Sequence, residues 1–145
     1  MKKCLFCCFM IAIIIGSCTP KKSSKIEGAW QFVSAKSIAG DTLQFQIPGE
    51  YTGSGFKIWS KDHFAFVGLW KKDTATINSY GGGTYTMNEN RYNETINYHT
   101  DNTTVGKTIK MIIEIKNDTL YQTWPVDDNG KIDSANYQIE KYIKF

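Results

Sequence analysis

The stretch that decides the fold is TYTMNENRYNETINYH, residues 84–99. Apolar and aromatic residues alternate with polar ones on both sides of Asn88-Glu89, which is typical of two strands joined by a tight turn. A two-residue turn at Asn88-Glu89 pairs residue 87 with residue 90 and sets Tyr85 opposite Tyr92. We expect the hairpin's more apolar face to point inward. That face carries Tyr85, Met87, Tyr92, Glu94, Ile96 and Tyr98.

A second hairpin with the same pattern is predicted at residues 107–124. After the turn signal Asn117-Asp118, the stretch 120–123 echoes the stretch 92–95 of the first hairpin. The same turn rule sends one set of side chains inward: Ile109, Met111, Ile113, Ile115, Leu120, Gln122 and Trp124. Glu94 and Gln122 then occupy equivalent inward positions, and Gly83 leaves open space opposite Glu94. We predict that Glu94 and Gln122 form the polar floor of a pocket.

Short strands also account for the chain on either side of these hairpins. After Gly28, no stretch of ten or more residues has apolar positions at helical spacing, and Thr, Tyr, Ile, Asn and Gly are frequent. The candidate strands are residues 30–38, 42–47, 55–60, 63–70, 74–78, 84–87, 90–99, 107–116, 119–124 and 136–144. Such a series predicts an all-β, antiparallel up-and-down β-barrel of about eight to ten strands, because closure removes exposed edges.

Two registers are open for the strand at 63–70. A three-residue turn sends Phe64 and Phe66 inward together with Phe56 and Ile58, whereas a two-residue turn sends residues 65 and 67 inward. We favour the first register.

The composition excludes several classes of protein. A chain of 145 residues with 41% hydrophobic and 21% charged positions fits one globular domain and not a two-domain enzyme. The net charge of +3, from 17 basic and 14 acidic residues, does not suit a nucleic-acid binder. All four cysteines fall within the first 18 residues, so the domain that follows has no disulfide, thiolate metal site or cysteine nucleophile.

The first 18 residues have the pattern of a secretory signal. Met1-Lys2-Lys3 precedes the apolar run 4–15, which is shorter than the ~20 residues of a spanning helix. Ile15-Gly16-Ser17-Cys18 resembles the bacterial lipobox, and this resemblance implies cleavage before Cys18 and lipidation of its sulfur. A soluble secreted protein cut elsewhere and an uncleaved anchor are the alternatives.

This pattern predicts three segments and a location. Residues 1–17 form a lipoprotein signal peptide, residues 18–26 the lipidated cysteine and a flexible tether, and residues 27–145 the barrel domain. We expect the protein in the bacterial cell envelope, anchored by lipid to a membrane. The outer membrane is the favoured one, with the domain on its periplasmic or surface side.

A family resemblance adds to this interpretation. Gly28-Ala29-Trp30, followed by Gln31-Phe32-Val33-Ser34, resembles the Gly-x-Trp opening strand of lipocalins and fatty-acid-binding proteins, in which the tryptophan plugs the closed end. With Lys57-Ile58-Trp59, Gly81–Thr86 and Tyr92–Ile96 in that order, residues 28–145 are similar to bacterial secreted lipocalin-like proteins of the DUF4488 type. The resemblance implies an up-and-down barrel and carries no reaction.

One departure from the lipocalin pattern lies on the last strand. Lipocalins usually place an arginine there over the plugging tryptophan, whereas this strand offers only Lys141 and Lys144. Lys141 either stacks on Trp30 as a cation over a ring or is an ordinary surface lysine.

Few residues suggest chemistry. His63 and His99 are the only histidines, and we expect both at the surface or rim and no metal or cofactor. The run Gly81–Gly83 predicts a bulge or bend in a strand, since no phosphate-loop motif follows. Glu94 has three interpretations: partner of Lys141, Arg91 or a tyrosine hydroxyl, contact to a ligand, or general acid. We rank them in that order because no second catalytic group can be placed beside it.

These observations predict a membrane-anchored, lipocalin-like lipoprotein that binds a small apolar or amphipathic ligand and is not an enzyme. Its partners are then a membrane and a small hydrophobic ligand, with no nucleic acid and no protein partner that can be named. The expected ligand contacts are Trp30, Phe64, Phe66, Tyr85, Tyr92, Glu94, Tyr98, Gln122 and Trp124. The alternative is a barrel whose side chains fill the interior and which acts as an accessory or interaction module of an envelope complex.

Overall fold

The computed structural model describes residues 25–145, which form one antiparallel sheet of nine strands and a short 3-10 helix, Asn102–Thr104. The strands are β1 Gly28–Ala39, β2 Thr42–Ile47, β3 Thr52–Ser60, β4 His63–Lys72, β5 Ala75–Asn88, β6 Arg91–His99, β7 Thr108–Lys116, β8 Thr119–Trp124 and β9 Asn136–Lys144.

Eight of these strands close into a barrel. From β3 to β9 each strand pairs with the next, and β1 pairs with both β3 and β9. The ninth strand, β2, lies along the second half of β1, from Ala35 opposite Ile47 to Ala39 opposite Thr42. The predicted all-β antiparallel barrel is therefore confirmed. The two strands predicted at 74–78 and 84–87 are one strand, β5, which continues through the glycine run.

The two hairpins that decide the fold differ in how well their turns were predicted. Asn117 and Asp118 both have positive φ, 49° and 59°, and Lys116 pairs with Thr119 as expected. In the first hairpin the turn lies one residue later, because residue 88 pairs with residue 91, and Tyr85 therefore faces Glu94 instead of Tyr92. The predicted inward residues from Tyr85 to Ile96 keep their face, since the pairing has moved by two residues.

A bulge near the end of β6 overturns the prediction for Tyr98. Gly82 pairs with Tyr98 but Gly83 pairs with Ile96, so Asn97 is an extra residue and the inward alternation is broken. Tyr98 consequently points outward and is 74% exposed, whereas His99 turns toward the interior. A bulge is thus present at the glycine run, but its extra residue lies on the partner strand β6 and not on β5 itself.

The prediction for β3 and β4 was correct for the inward side chains of β4 and wrong for the turn. Ser60 pairs with His63 across a two-residue turn, and not across the favoured three-residue turn. Phe64 and Phe66 nevertheless point inward as predicted, with Phe64 buried and Phe66 partly buried.

The error lies on β3, where the apolar residues face outward. Phe56 and Ile58 are 38% and 40% exposed, and the alternate residues Lys57 and Trp59 are buried. The buried face of β3 thus brings a lysine into the barrel.

One end of the barrel is filled by large side chains, and Trp30 lies among them. Its indole N–H donates a hydrogen bond to the carbonyl of Ile26 at 2.8 Å, and the Lys144 ammonium lies 5.4 Å from the ring centroid. Lys141 lies over the ring of Tyr121 instead, so its stacking on Trp30 is excluded. The fully buried large side chains are Ile26, Trp30, Trp59, Tyr92, Leu120 and Gln122. Burying each of the apolar side chains among them contributes about 1.5–3 kcal/mol. Because large side chains fill this end of the barrel, we call it the closed end.

Candidate functional site

A cavity of about 440 Å³ occupies the other half of the barrel. At ~30 Å³ per water molecule it has room for about fifteen of them. Every barrel strand contributes to its wall, and β2 and the 3-10 helix border it as well. The larger apolar and aromatic side chains on the wall are Phe32, Phe45, Ile47, Phe66, Trp70, Ile96, Ile109, Met111, Trp124 and Tyr142. The wall is therefore mostly apolar.

The floor of the cavity is polar because β3 places Lys57 there. The Lys57 ammonium donates a hydrogen bond to Glu94 Oε1 and another, at 3.3 Å, to Gln122 Oε1. It also lies 5.0 Å and 4.8 Å from the ring centroids of Trp59 and Phe64. Lys57 and Glu94 are each only 3% exposed, so this is a buried ion pair supported by aromatic faces.

Two hydrogen bonds extend this cluster toward the closed end. The Trp59 indole N–H donates to the Tyr92 hydroxyl at 2.7 Å, and that hydroxyl donates to Glu94 Oε1 at 2.8 Å. Burial and the neighbouring Glu94 charge raise the pKa of Tyr92 far above its usual value, which keeps the hydroxyl protonated. The Glu94 carboxylate is thus held by one cation and one hydroxyl.

The cavity wall carries a further carboxylate, that of Glu140 on β9. The Tyr142 hydroxyl donates to Glu140 Oε2, and the Gln138 amide donates to Oε1 at 3.5 Å. Burial raises the pKa of Glu140 above its usual range, partly offset by the Lys57 charge. Glu140 and Gln122 lie directly opposite each other on β9 and β8.

The structure brings together four of the nine predicted ligand-contacting residues on the cavity wall: Phe66, Glu94, Gln122 and Trp124. Four others, Trp30, Phe64, Tyr85 and Tyr92, are buried but do not border the cavity. Tyr98 faces outward. Glu94 has the predicted tyrosine hydroxyl as a partner, and its cationic partner is neither Lys141 nor Arg91. The predicted lipidation site, Cys18, lies outside the described residues.

The predicted open space at Gly83 does not exist. Gly83 lies opposite Ile96 and not Glu94, and a Cβ placed on it would be 1.9 Å from the carbonyl oxygen of Thr95. Only glycine permits this approach of two backbones beside the bulge. The open space lies elsewhere, next to Ala35 on β1, which is small and borders the cavity.

Two residues of the site, Lys57 and Glu140, were missed. The signal for Lys57 is the turn at Lys61-Asp62: if read as two residues, it pairs Phe64 with residue 59 and Phe66 with residue 57, so both phenylalanines share a face with Lys57. No such signal marks Glu140, because the alternate residues on β9 include Ile139 and Ile143, which hydrophobicity would turn inward.

The histidines lie at opposite ends. His63 is exposed beside Asp62 at a closed-end turn, and His99 borders the cavity near Phe66, with 5.7 Å between the ring centroids. In the described part of the chain, no three His, Cys, Asp or Glu side chains converge to hold a metal ion. No helix within residues 25–145 is long and apolar enough to cross a membrane.

Comparisons with known proteins identify a family. The model of a family described as a domain of unknown function, DUF4488, matches residues 25–144. No curated protein and no solved structure matches the chain.

Proposed function

This chain belongs to the DUF4488 family, and we propose that it is a binding protein that holds one small apolar or amphipathic molecule inside its barrel. The observation that carries the proposal is the cavity of about 440 Å³, which falls in the range of ~300–1,000 Å³ typical of small-molecule sites. Its apolar wall and its polar floor at Lys57, Glu94 and Gln122 suit a molecule with one apolar and one polar part.

The same cavity weighs against the alternative of a completely filled barrel. Large side chains pack the closed end, but small residues line the other half, including Ala35, Gly55 and Gly68. A barrel that served only as a scaffold gains stability from a filled core and loses it with every void. Retaining a void of this size is understandable if a ligand fills it.

We also propose that the protein is a lipoprotein attached to an envelope membrane through Cys18. The lipobox-like stretch 15–18 supports this, and the position of Ile26 at the closed end adds a geometric consequence. Eight residue steps separate Cys18 from Ile26, so a fully extended chain spans at most about 30 Å. An anchored barrel then has its closed end nearest the membrane.

Native mass spectrometry of protein purified from its own cells tests the binding proposal. We expect a small molecule that is released on denaturation. Ala35→Leu should abolish this extra mass, because the added carbons enter the cavity, while the fold persists. The matched control is Ala65→Leu, which makes the same change on the exposed face of β4 and should keep the bound molecule. Wild-type protein that is free of small molecules and binds no added apolar compound would contradict the proposal.

A further inference from the structure

The side chains around the cavity have unbalanced charges. The titratable groups that border it are Lys57, Glu94, His99, Glu140 and Tyr142. The single ammonium, that of Lys57, is paired with Glu94. Within residues 25–145, Glu140 forms no ion pair and accepts hydrogen bonds only from neutral groups, so a second carboxylate meets the cavity without a cation of its own.

The surroundings of Glu140 combine free space with aromatic rings. Its neighbour on β1 is Ala35, whose methyl group leaves room in front of the carboxylate. On the same side Tyr142 contacts Phe32, and Phe32 contacts Trp70, with ring centroids 5.7 Å and 4.7 Å apart. Aromatic faces and a carboxylate both attract an organic cation, and both repel or fail to bind an anion.

We propose that the molecule bound in this barrel is an amphipathic primary amine, with its ammonium group against Glu140 and its apolar chain along Phe32, Phe66 and Trp70. This inference rests on the proposed function, since it names the ligand class of the same cavity. The ammonium supplies the missing positive charge and donates hydrogen bonds to the carboxylate. The Lys57–Glu94 pair stays intact beneath it and excludes a second cation from the floor.

Isothermal titration calorimetry of the purified full chain with three ligands of equal length tests the inference. Octylammonium, 1-octanol and octanoate have eight carbons each and differ in the head group, which is cationic, neutral and anionic, respectively. We expect octylammonium to bind about tenfold or more tightly than octanol, the ratio given by one charge-assisted hydrogen bond. Octanoate should bind most weakly, because it meets two carboxylates.

Glu140→Gln identifies the residue responsible. This substitution keeps the shape and removes the charge, so octylammonium and octanol should then bind within about threefold of each other. Glu114→Gln makes the same change on the outward face of β7 and should leave the preference as in the wild type. If Glu140→Gln does not fold, the relative affinities of the three ligands for the wild-type protein decide whether the cavity prefers an amine.

The outcomes distinguish a failure of the amine assignment from a failure of the proposed binding function. If octanol binds and octylammonium binds no better, the amine assignment is wrong and the binding function stands. An amine preference that survives Glu140→Gln also overturns the assignment. If none of the three ligands binds, the proposed binding function is contradicted, and the amine assignment is contradicted with it.

Discussion

Replacing Lys57 by methionine should destabilise the barrel by about 3–5 kcal/mol, because the change leaves a buried carboxylate without its cation. Lys57 and Glu94 are each 3% exposed, so water cannot take the place of the ammonium. Glu94 keeps one hydrogen bond, from the Tyr92 hydroxyl. Methionine is similar in length to lysine and fills the same channel between aromatic rings, so little of the loss comes from an added void.

Urea unfolding followed by tryptophan fluorescence measures this loss. With a slope of about 2 kcal/mol per molar urea, the midpoint should fall by about 1.5–2.5 M. The double variant Lys57→Met with Glu94→Gln should recover most of the stability, because it removes both charges of the buried pair. The difference between the double change and the sum of the two single changes gives the coupling energy of the pair.

The matched control is Lys110→Met. Lys110 is paired with Asp128 on the outer surface, where both side chains are largely exposed, so the unfolding midpoint should not move. Equal midpoints for Lys57→Met and the wild type would refute the reasoning. So would a double variant that is no more stable than Lys57→Met alone.

Four further outcomes are expected. Tyr92→Phe should lower the free energy of unfolding by about 1–3 kcal/mol, because the indole N–H of Trp59 and the Glu94 carboxylate each lose a hydrogen-bond partner. Tyr85→Phe should be neutral or stabilising in urea unfolding, because the buried Tyr85 hydroxyl has no hydrogen-bond partner among residues 25–145. Because burial raises the pKa of Glu140, the stability that this group contributes is fully present at low pH and is lost as pH rises through that pKa. Glu140→Gln should therefore stabilise the protein more at about pH 8 than at about pH 4, as measured by the change in Tm at each pH. Cys18→Ala should abolish incorporation of a fatty-acid analogue in metabolic labelling; label retained by this variant would remove the lipobox assignment.

The fold was largely predictable because alternation and turn chemistry are local properties of the chain. Asn117 and Asp118 tolerate positive φ, and the hairpin follows from them. A turn displaced by one residue shifts the pairing by two, so Tyr85, Tyr92 and Glu94 stay on the inner face although their partners were misassigned. A single extra residue, Asn97, has a larger effect, because it reverses the face of Tyr98.

The site was less predictable because its decisive contacts are nonlocal. Lys57 and Glu94 are separated by 37 positions, and each has a polar side chain that a hydrophobicity pattern assigns to the surface unless a partner is known. Glu94 was placed inside by its strand's alternation. Lys57 was placed outside because the neighbouring Phe56 and Ile58 are better candidates for burial. Only the pairing of β3 with β4 decides between these two faces of β3.

The ladder between β1 and β9 also sets the order of folding. It joins Trp30 to Lys144 and Ala39 to Asn136, whereas the ladders from β3 to β9 connect consecutive strands. Hairpins form early because their loops are short, and closure across about a hundred residues is entropically costly and comes late. A chain truncated before Asn136 leaves β1 and β8 as two unpaired edges, which are templates for aggregation. The last strand therefore acts as the closing step of folding, and truncated chains should accumulate as insoluble protein.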